Sequence, residues 1–116
     1  MILADIERVY CCYCGERIWF ASKRTKEHLV PLSKGGNNTS YNKKDCCTSC
    51  NQDRGNKSYD YWLSELYEKL ANQQRFKNSI YKTEAMIENI LYWKHYVETA
   101  GDKLLMRQYK TKKPSN

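Results

Sequence analysis

Four cysteines occur as two closely spaced pairs, Cys11-x-x-Cys14 and Cys47-x-x-Cys50. Each spacing lets two thiolates reach one ion from a tight turn, and two such turns complete a tetrahedral shell of four sulfurs, which suits Zn²⁺. A shell of four cysteines leaves no open coordination position, so this zinc would be structural and would do no hydrolysis. The sequence therefore predicts a structural zinc site at Cys11, Cys14, Cys47 and Cys50.

Two further cysteines, Cys12 and Cys46, are left outside these pairs. Alternative registers that use them, such as Cys12 with Cys14, are less regular, and we interpret both as buried thiols. Disulfides would be the alternative in an exported protein, but "MILADIERVY" lacks the basic and long apolar segments of an export signal. We therefore expect an intracellular, cytoplasmic protein whose thiols stay reduced.

A second group of reactive side chains begins in "EHLVPLSKGG", residues 27–36, which contains one of the two histidines, His28. The unperturbed pKa of imidazole makes it a suitable proton acceptor at neutral pH. The Glu27 carboxylate and the Asn51 amide offer hard oxygens of the kind that Mg²⁺ or Mn²⁺ prefers, and Asn42 lies between them in the chain. Singly, each of these residues has an ordinary structural role. On a regular strand, moreover, Glu27 and His28 would point to opposite faces, so a shared site requires a distortion or a metal on one side.

The stretch "TKEHLVPLSKGGNNTSYNKKDCCTSCNQDRG", residues 25–55, resembles the HNH endonuclease family of the ββα-metal (His-Me finger) class. The shared pattern is an acid–His pair, a proline, a Gly-Gly turn, a central Asn, then C-x-x-C-Asn and a basic residue before Gly. The upstream Cys11/Cys14 pair matches the zinc-bearing members. Two positions depart from the usual pattern: Glu27 stands where the family most often has Asp, and Arg54 where Lys is frequent.

The resemblance implies hydrolysis of DNA phosphodiester bonds that leaves 5′-phosphate and 3′-hydroxyl ends. It implies that His28 is the general base, that Glu27 and Asn51 hold a catalytic divalent cation, Mg²⁺ or Mn²⁺, and that Asn42 braces the loop between two strands and so orients His28. One such site cuts one strand, so we expect a nicking enzyme. Double-strand cleavage would need a dimer or two encounters.

The charge of the chain favours a polyanionic partner, because 20 Lys+Arg stand against 13 Asp+Glu, a net +7. DNA is the expected partner, with RNA left open, and no segment has the roughly 20 apolar residues needed to cross a bilayer. Solvated surface charge is the ordinary role of such cations. The six basic residues around the predicted site that we expect to contact phosphates are Lys26, Lys34, Lys43, Lys44, Arg54 and Lys57.

The secondary-structure elements that we expect around these residues make up an α+β fold. It is a small ββα-metal finger that the four-cysteine zinc site holds together. We expect residues 1–58 to form this core, and residues 59–116 to form a helical extension packed on it, with a basic tail over Lys103–Lys113, in one compact domain. Within the core, residues 8–32 are expected to be short extended pieces. A loop at "SKGGNNTS", a returning strand at "NKKDCC" and a short helix in "TSCNQDRGN" should follow. Gly55 should end that helix.

Helical spacing predicts two helices in the extension, separated by a polar break at "NQQRFKNS". The second should run from Met86 to Ala100, with Thr83 as its N-cap and Gly101 as its stop. His95 lies away from the apolar stripe and is expected to be a solvated surface residue. The first helix is marked by Tyr59, Trp62, Leu63, Leu66 and Leu70.

Two other functions compete with the nuclease. One is a zinc-knuckle module that binds nucleic acid without cutting it, a degenerate nuclease. The other is an interaction protein in which helices of residues 59–100 form the partner surface. The joint presence of four residues favours the nuclease over both: Glu27, His28, Asn42 and Asn51.

Overall fold

The structure, a computed structural model, describes residues 1–3, 7–72 and 77–110 and has the expected α+β fold. Its regular elements are β1 (Arg24–His28), β2 (Lys43–Cys47), α1 (Thr48–Arg54), α2 (Tyr59–Asn72) and α3 (Lys77–Ala100). Short 3-10 turns lie at Ala21–Lys23, Leu32–Lys34, Gly101–Leu104 and Arg107–Tyr109. Within the described ranges, no helix is both long enough and apolar enough to cross a membrane.

The two strands and α1 form a continuous ββα unit. β1 and β2 pair antiparallel, from Arg24 opposite Cys47 to His28 opposite Lys43. α1 begins directly after β2, and Gly55, at φ +55°, ends it where a side chain would be strained. The predicted returning strand and short helix are thus confirmed. The unit places His28 at the end of one strand and Asn51 on the helix that follows the other.

The chain before β1 is less extended than the sequence predicts. Its strand-like pairing among the described residues is reduced to two isolated bridges, Ile2 with Phe20 and Tyr10 with Arg17. A turn closed by the bond from the Gly15 amide to the Cys11 carbonyl, 3.0 Å, interrupts "RVYCCYC". "EHLVPL" leaves the sheet after His28, and Pro31 has no N–H to donate to a ladder. This part of the prediction was wrong because turns and a proline outweigh β-propensity.

The helices confirm the predicted type but not every boundary. α2 buries the expected residues Trp62, Leu63 and Leu66, and Gly101, at φ +55°, ends α3. α3 begins at Lys77, however, so Thr83 lies buried inside the helix and is not its N-cap. The polar first turns carry too little apolar periodicity to reveal the earlier start. The middle of the predicted break, residues 73–76, and the end of the basic tail, residues 111–116, lie outside the described residues.

One hydrophobic core joins the ββα unit to the helical extension. Tyr13, which lies between Cys11 and Cys14, packs edge-to-face on the fully buried Trp62 of α2 at 4.9 Å between ring centroids. From α3, the Asn89 side chain donates to the Tyr13 carbonyl at 2.7 Å. The indole N–H of Trp93 donates to the Cys12 carbonyl at 2.9 Å. Both helices therefore hold the N-terminal cysteine turn in place. The predicted boundary between core and extension at residue 58 stays a prediction.

Candidate functional site

The four predicted zinc ligands come together in the structure. The sulfur atoms of Cys11, Cys14, Cys47 and Cys50 all lie within 4.8 Å of one another. Sulfurs around a tetrahedral zinc with Zn–S bonds of about 2.3 Å lie about 3.8 Å apart, and the Cys14 and Cys47 sulfurs are 4.0 Å apart. The cluster therefore has the size and donor set that a structural zinc requires.

Backbone amides donate to two of these sulfurs, whereas burial disfavours thiolates that have no cation beside them. The Tyr13 amide donates to the Cys11 sulfur at 3.4 Å, and the Cys50 amide donates to the Cys47 sulfur at 3.5 Å. The hydrogen bond with Cys11, and then burial, raise the pKa of Cys14 to about 12. The pKa of Cys50 is raised by its hydrogen bonds with Cys11 and Cys14, and then by burial. Four adjacent thiols cannot all ionise on their own, so metal binding must supply the positive charge that releases their protons.

The two remaining cysteines differ from the cluster in their contacts. Cys46 is fully buried, and its thiol donates to the Cys47 carbonyl at 3.4 Å, which confirms a buried thiol. Its sulfur lies 3.9 Å from that of Cys11 and so contacts the cluster. Cys12 is only partly buried, packed against the core.

A groove of about 390 Å³ opens beside the end of β1, where the chain leaves the sheet. It brings together three of the predicted site residues, Glu27, His28 and Asn51, although β1 keeps a regular register through His28. β1 therefore keeps its regular pairing where three consecutive residues, Lys26, Glu27 and His28, line the groove. The remaining lining residues are Lys26, Pro31, Leu32, Ser33, Gly55 and Asn56.

Glu27 is a buried acidic residue of this groove with one unsatisfied carboxylate oxygen. It is 5% exposed, and its Oε2 accepts no hydrogen bond from the described residues. The nearest cation is the Arg54 Nη1, 3.8 Å from Oε2. Burial raises the pKa of Glu27 more than the Arg54 charge lowers it. A buried carboxylate oxygen without a donor is costly, and a cation at that oxygen would offset the cost.

Asn51 offers the second hard oxygen. Its side-chain nitrogen donates to the Thr25 hydroxyl at 2.9 Å, which fixes the amide between α1 and β1. The nitrogen is thereby engaged, so the amide oxygen is the atom that can act as a metal ligand. A carboxylate and an amide oxygen from residues that line one groove are the donor types that suit a divalent cation such as Mg²⁺ or Mn²⁺, with water and phosphate oxygens filling the other positions.

Arg54 is placed differently from the sequence prediction. A side chain that is 2% exposed has no surface to offer a backbone phosphate, so its assignment as a phosphate contact was wrong. Its Nη1 instead donates to the His28 carbonyl at 3.1 Å and to the Tyr13 hydroxyl at 3.2 Å, and its guanidinium stacks 4.0 Å from the Tyr59 ring centroid. Arg54 therefore holds the end of β1 against α1. Its position three residues after Asn51, on the same side of a helix, was the available signal.

Asn42 is fully buried at the base of the loop between the strands. Its oxygen accepts from the Val30 amide at 2.8 Å, and its nitrogen donates to the carbonyls of Val30 and Asn37 at 3.0 and 2.8 Å. Gly36 passes so close that a Cβ there would lie 1.8 Å from the Val30 carbonyl oxygen. This explains why the second glycine of the Gly-Gly turn has no side chain.

The His28 ring is partly exposed, and its Nε2 lies 2.7 Å from the Asn38 side-chain oxygen. Sequence reasoning missed Asn38, because one amide within the polar stretch "GGNNTS" has no distinguishing pattern. His95 is exposed on α3 and does not line the groove, as expected of a surface residue.

Five of the predicted phosphate-binding cations keep some exposed surface. Lys26 and Lys34 are exposed, and Lys43, Lys44 and Lys57 are partly exposed. Lys26 alone among them lines the groove, and its amine also bonds to Asp45 at 2.7 Å. The Lys57 amine pairs with Glu65 at 2.6 Å, and that of Lys44 lies 5.6 Å from the Trp93 ring centroid.

Comparison with known proteins gives one family match. The model of a family described as HNH endonuclease matches residues 11–65, a range that contains both cysteine pairs, the hairpin and α1. No curated protein and no solved structure matches the chain.

Replacing Cys14 by Ser should remove zinc and destabilise the protein, because the binding energy of a structural zinc is part of the folding energy. We expect about one zinc per chain in the wild type, measured by elemental analysis. In Cys14→Ser the zinc should be lost and the melting temperature lowered on the order of 10 °C or more. Cys12→Ser is the matched control and should keep its zinc. Full zinc content in Cys14→Ser, or its loss in Cys12→Ser alone, would contradict this assignment.

Replacing Glu27 by Gln should stabilise the zinc-loaded protein at pH 7 in buffer without Mg²⁺ or Mn²⁺, on the order of a few degrees. Burial raises the pKa of Glu27 above the ordinary 4.5, so its contribution to stability falls as the pH rises through that raised pKa. The advantage of Glu27→Gln should therefore shrink as the pH is lowered toward 4.5. Melting temperatures of both proteins across this range provide the measurement.

Adding Mg²⁺ or Mn²⁺ should then raise the melting temperature of the wild type and leave that of Glu27→Gln unchanged, because only the wild type offers a carboxylate to the cation. Equal stabilisation of both proteins would mean that the cation binds elsewhere.

Proposed function

We propose that this protein is a divalent-cation-dependent endonuclease that nicks DNA, because residues 11–65 match the model of the HNH endonuclease family. The observation that carries the proposal is the groove at the end of β1. The residues that line it include His28, Glu27, whose Oε2 is buried without a hydrogen-bond donor, and Asn51, whose side-chain nitrogen is already engaged.

In the proposed reaction His28 is the general base. Its imidazole takes a proton from a water molecule as the water oxygen forms a bond to the phosphorus of the scissile phosphodiester. The bond from phosphorus to the 3′-oxygen breaks, and that oxygen takes a proton from solvent. The products are a 5′-phosphate and a 3′-hydroxyl, as the family resemblance implies.

Glu27 and Asn51 are the residues that would hold the catalytic cation. The chemistry that a bound Mg²⁺ or Mn²⁺ supplies here is positive charge against the negative charge that develops on the phosphate and the departing oxygen. Glu27 contributes a full negative charge and Asn51 a neutral oxygen, so a divalent ion keeps net positive charge for the substrate. Arg54 helps to keep the Glu27 carboxylate ionisable in its buried position and holds the backbone at His28.

Asn42 supports the site from beneath. Its three hydrogen bonds to Val30 and Asn37 close the base of the loop that follows His28. A loop held in this way keeps the imidazole in a constant position relative to Glu27 and Asn51, which is what general-base catalysis requires.

DNA is the proposed substrate because the groove lies in a basic protein and its rim includes Lys26. We propose phosphate contacts by the five cations that keep exposed surface, and such contacts give affinity that falls steeply with salt. A single catalytic site cuts one DNA strand, so nicking is the expected activity of one chain. The five residues are Lys26, Lys34, Lys43, Lys44 and Lys57.

Replacing His28 by Ala should lower the rate of plasmid nicking about 10²–10⁴-fold, the usual contribution of a general base. The assay compares supercoiled and open-circular plasmid after incubation with Mg²⁺ or Mn²⁺, and activity should require the added cation. His95→Ala, a change at the other histidine of the chain, is the matched control and should cut as fast as the wild type.

Nicking by His28→Ala at the wild-type rate would remove the assigned base. DNA binding by the wild type without any cleavage, across the metal series, would instead support the zinc-knuckle module that binds nucleic acid without cutting it.

A further inference from the structure

The segment after α3 pairs with the loop between the two strands. We call residues 101–109 the C-terminal strap and residues 35–42 the interstrand loop. Gly36 and Leu105 form an antiparallel bridge, with the Asn37 amide donating to the Leu104 carbonyl and the Met106 amide donating to the Gly35 carbonyl, both at 2.8 Å. The loop therefore has a backbone partner that is distant in sequence and lies outside residues 11–65, the range of the family match.

Side chains strengthen this pairing from both ends. The Asn37 nitrogen donates to the carbonyls of Lys103 and Leu105 at 2.9 and 3.2 Å. Leu104 is fully buried and anchors the strap in the protein. The Tyr109 ring covers Gly35 so closely that a Cβ at Gly35 would lie 2.7 Å from the ring. The strap thus contacts the loop through backbone, amide and aromatic groups.

Asn37 passes this constraint to the residues that follow it. Its oxygen accepts from the Thr39 amide at 3.2 Å and from the Thr39 hydroxyl at 2.8 Å. The backbone amide of Asn42 in turn donates to the Thr39 carbonyl at 3.0 Å. Asn38 is therefore held between two fixed neighbours, although its own side chain is exposed.

The Asn38 side chain then selects one form of the His28 ring. Its oxygen, which can only accept, lies 2.7 Å from the Nε2 of His28, an arrangement that a neutral ring satisfies only with its proton on Nε2. The lone pair that can take a proton from water is then on Nδ1. A ring free of this bond would divide its population between two tautomers and several orientations.

We propose that Asn38 is a positioning residue that holds the His28 imidazole as the Nε2–H tautomer, and that the C-terminal strap keeps Asn38 in place through Asn37. The inference rests on the proposed function, because it assigns Nδ1 as the atom that accepts the proton in nicking. It adds a part of the chain beyond the matched range to the machinery of the site.

The tautomer can be measured without any cleavage. Long-range proton–nitrogen correlation spectra of the zinc-loaded protein, labelled with ¹⁵N histidine, distinguish Nε2–H from Nδ1–H for each neutral ring. His95→Ala assigns the two sets of signals, since the chain has only two histidines. We expect the Nε2–H pattern for His28 in the wild type and in Asn38→Asp, whose carboxylate accepts the same bond. In Asn38→Ala the pattern should become mixed.

Nicking kinetics test the consequence for the reaction. Asn38→Ala should lower kcat about 10-fold or more with KM for plasmid unchanged, because the imidazole is misplaced while phosphate contacts remain. Asn38→Asp should recover most of the lost kcat, and Asn37→Ala should lower kcat in the same manner by releasing the strap. Asn72→Ala, at the exposed end of α2, is the matched control and should leave both constants unchanged.

The outcomes separate this inference from the proposed function. An unchanged His28 tautomer and unchanged kcat in Asn38→Ala would overturn the positioning role even if His28→Ala is inactive. Wild-type nicking by His28→Ala would overturn the function, whereas the spectra would still decide whether Asn38 sets the tautomer. Should Asn37→Ala fail to fold, Asn38→Ala and Asn38→Asp decide the matter alone, because that side chain is exposed.

Discussion

Four sulfur atoms that lie within 4.8 Å of one another are the constraint on which the rest of this protein depends. Two come from a turn near the N-terminus and two from the junction of β2 with α1. The N-terminal turn is itself held by α3, through hydrogen bonds to the carbonyls of Cys12 and Tyr13. A zinc ion bound by these sulfurs would therefore join the hairpin, α1 and the helical extension at one point. For a chain of 116 residues, such a cross-link supplies part of the stability that a larger domain gains from its hydrophobic core.

The position of α1 determines the position of the candidate site. Asn51 and Arg54 lie on one side of this short helix, and both reach across to β1, to Thr25 and to the His28 carbonyl. Arg54 is consequently buried, and its charge lies near Glu27. The Glu27 Oε2 still accepts no hydrogen bond from the described residues. Glu27 is unfavourable for stability and suitable for cation binding for the same physical reason: its charge is removed from water while its Oε2 accepts no hydrogen bond from the described residues. Proteins give up stability in this manner at functional sites.

Much of this arrangement could be predicted from the sequence, because its signals are local. The paired cysteines, the Gly-Gly turn and the short helix ending at Gly55 each depend on residues close together in the chain. The buried state of Arg54 could not be predicted, because a basic residue is ordinarily solvated and its partners lie on β1 and in the N-terminal turn. The contact between Asn37 and the strap joins residues 66 and 68 positions apart, with no charge or apolar pattern to mark it. The early start of α3 was missed because its first turns are polar.

The central claim is that a divalent cation binds in the groove beside His28, held by Glu27 and Asn51. Crystals of the zinc-loaded protein soaked in Mn²⁺, with anomalous scattering recorded on each side of the manganese edge, test it most directly. The account predicts a manganese peak bonded to a Glu27 carboxylate oxygen and the Asn51 amide oxygen, separate from a zinc peak among the four sulfurs. Manganese bound elsewhere, with the groove free of it at concentrations that support nicking, would contradict the account.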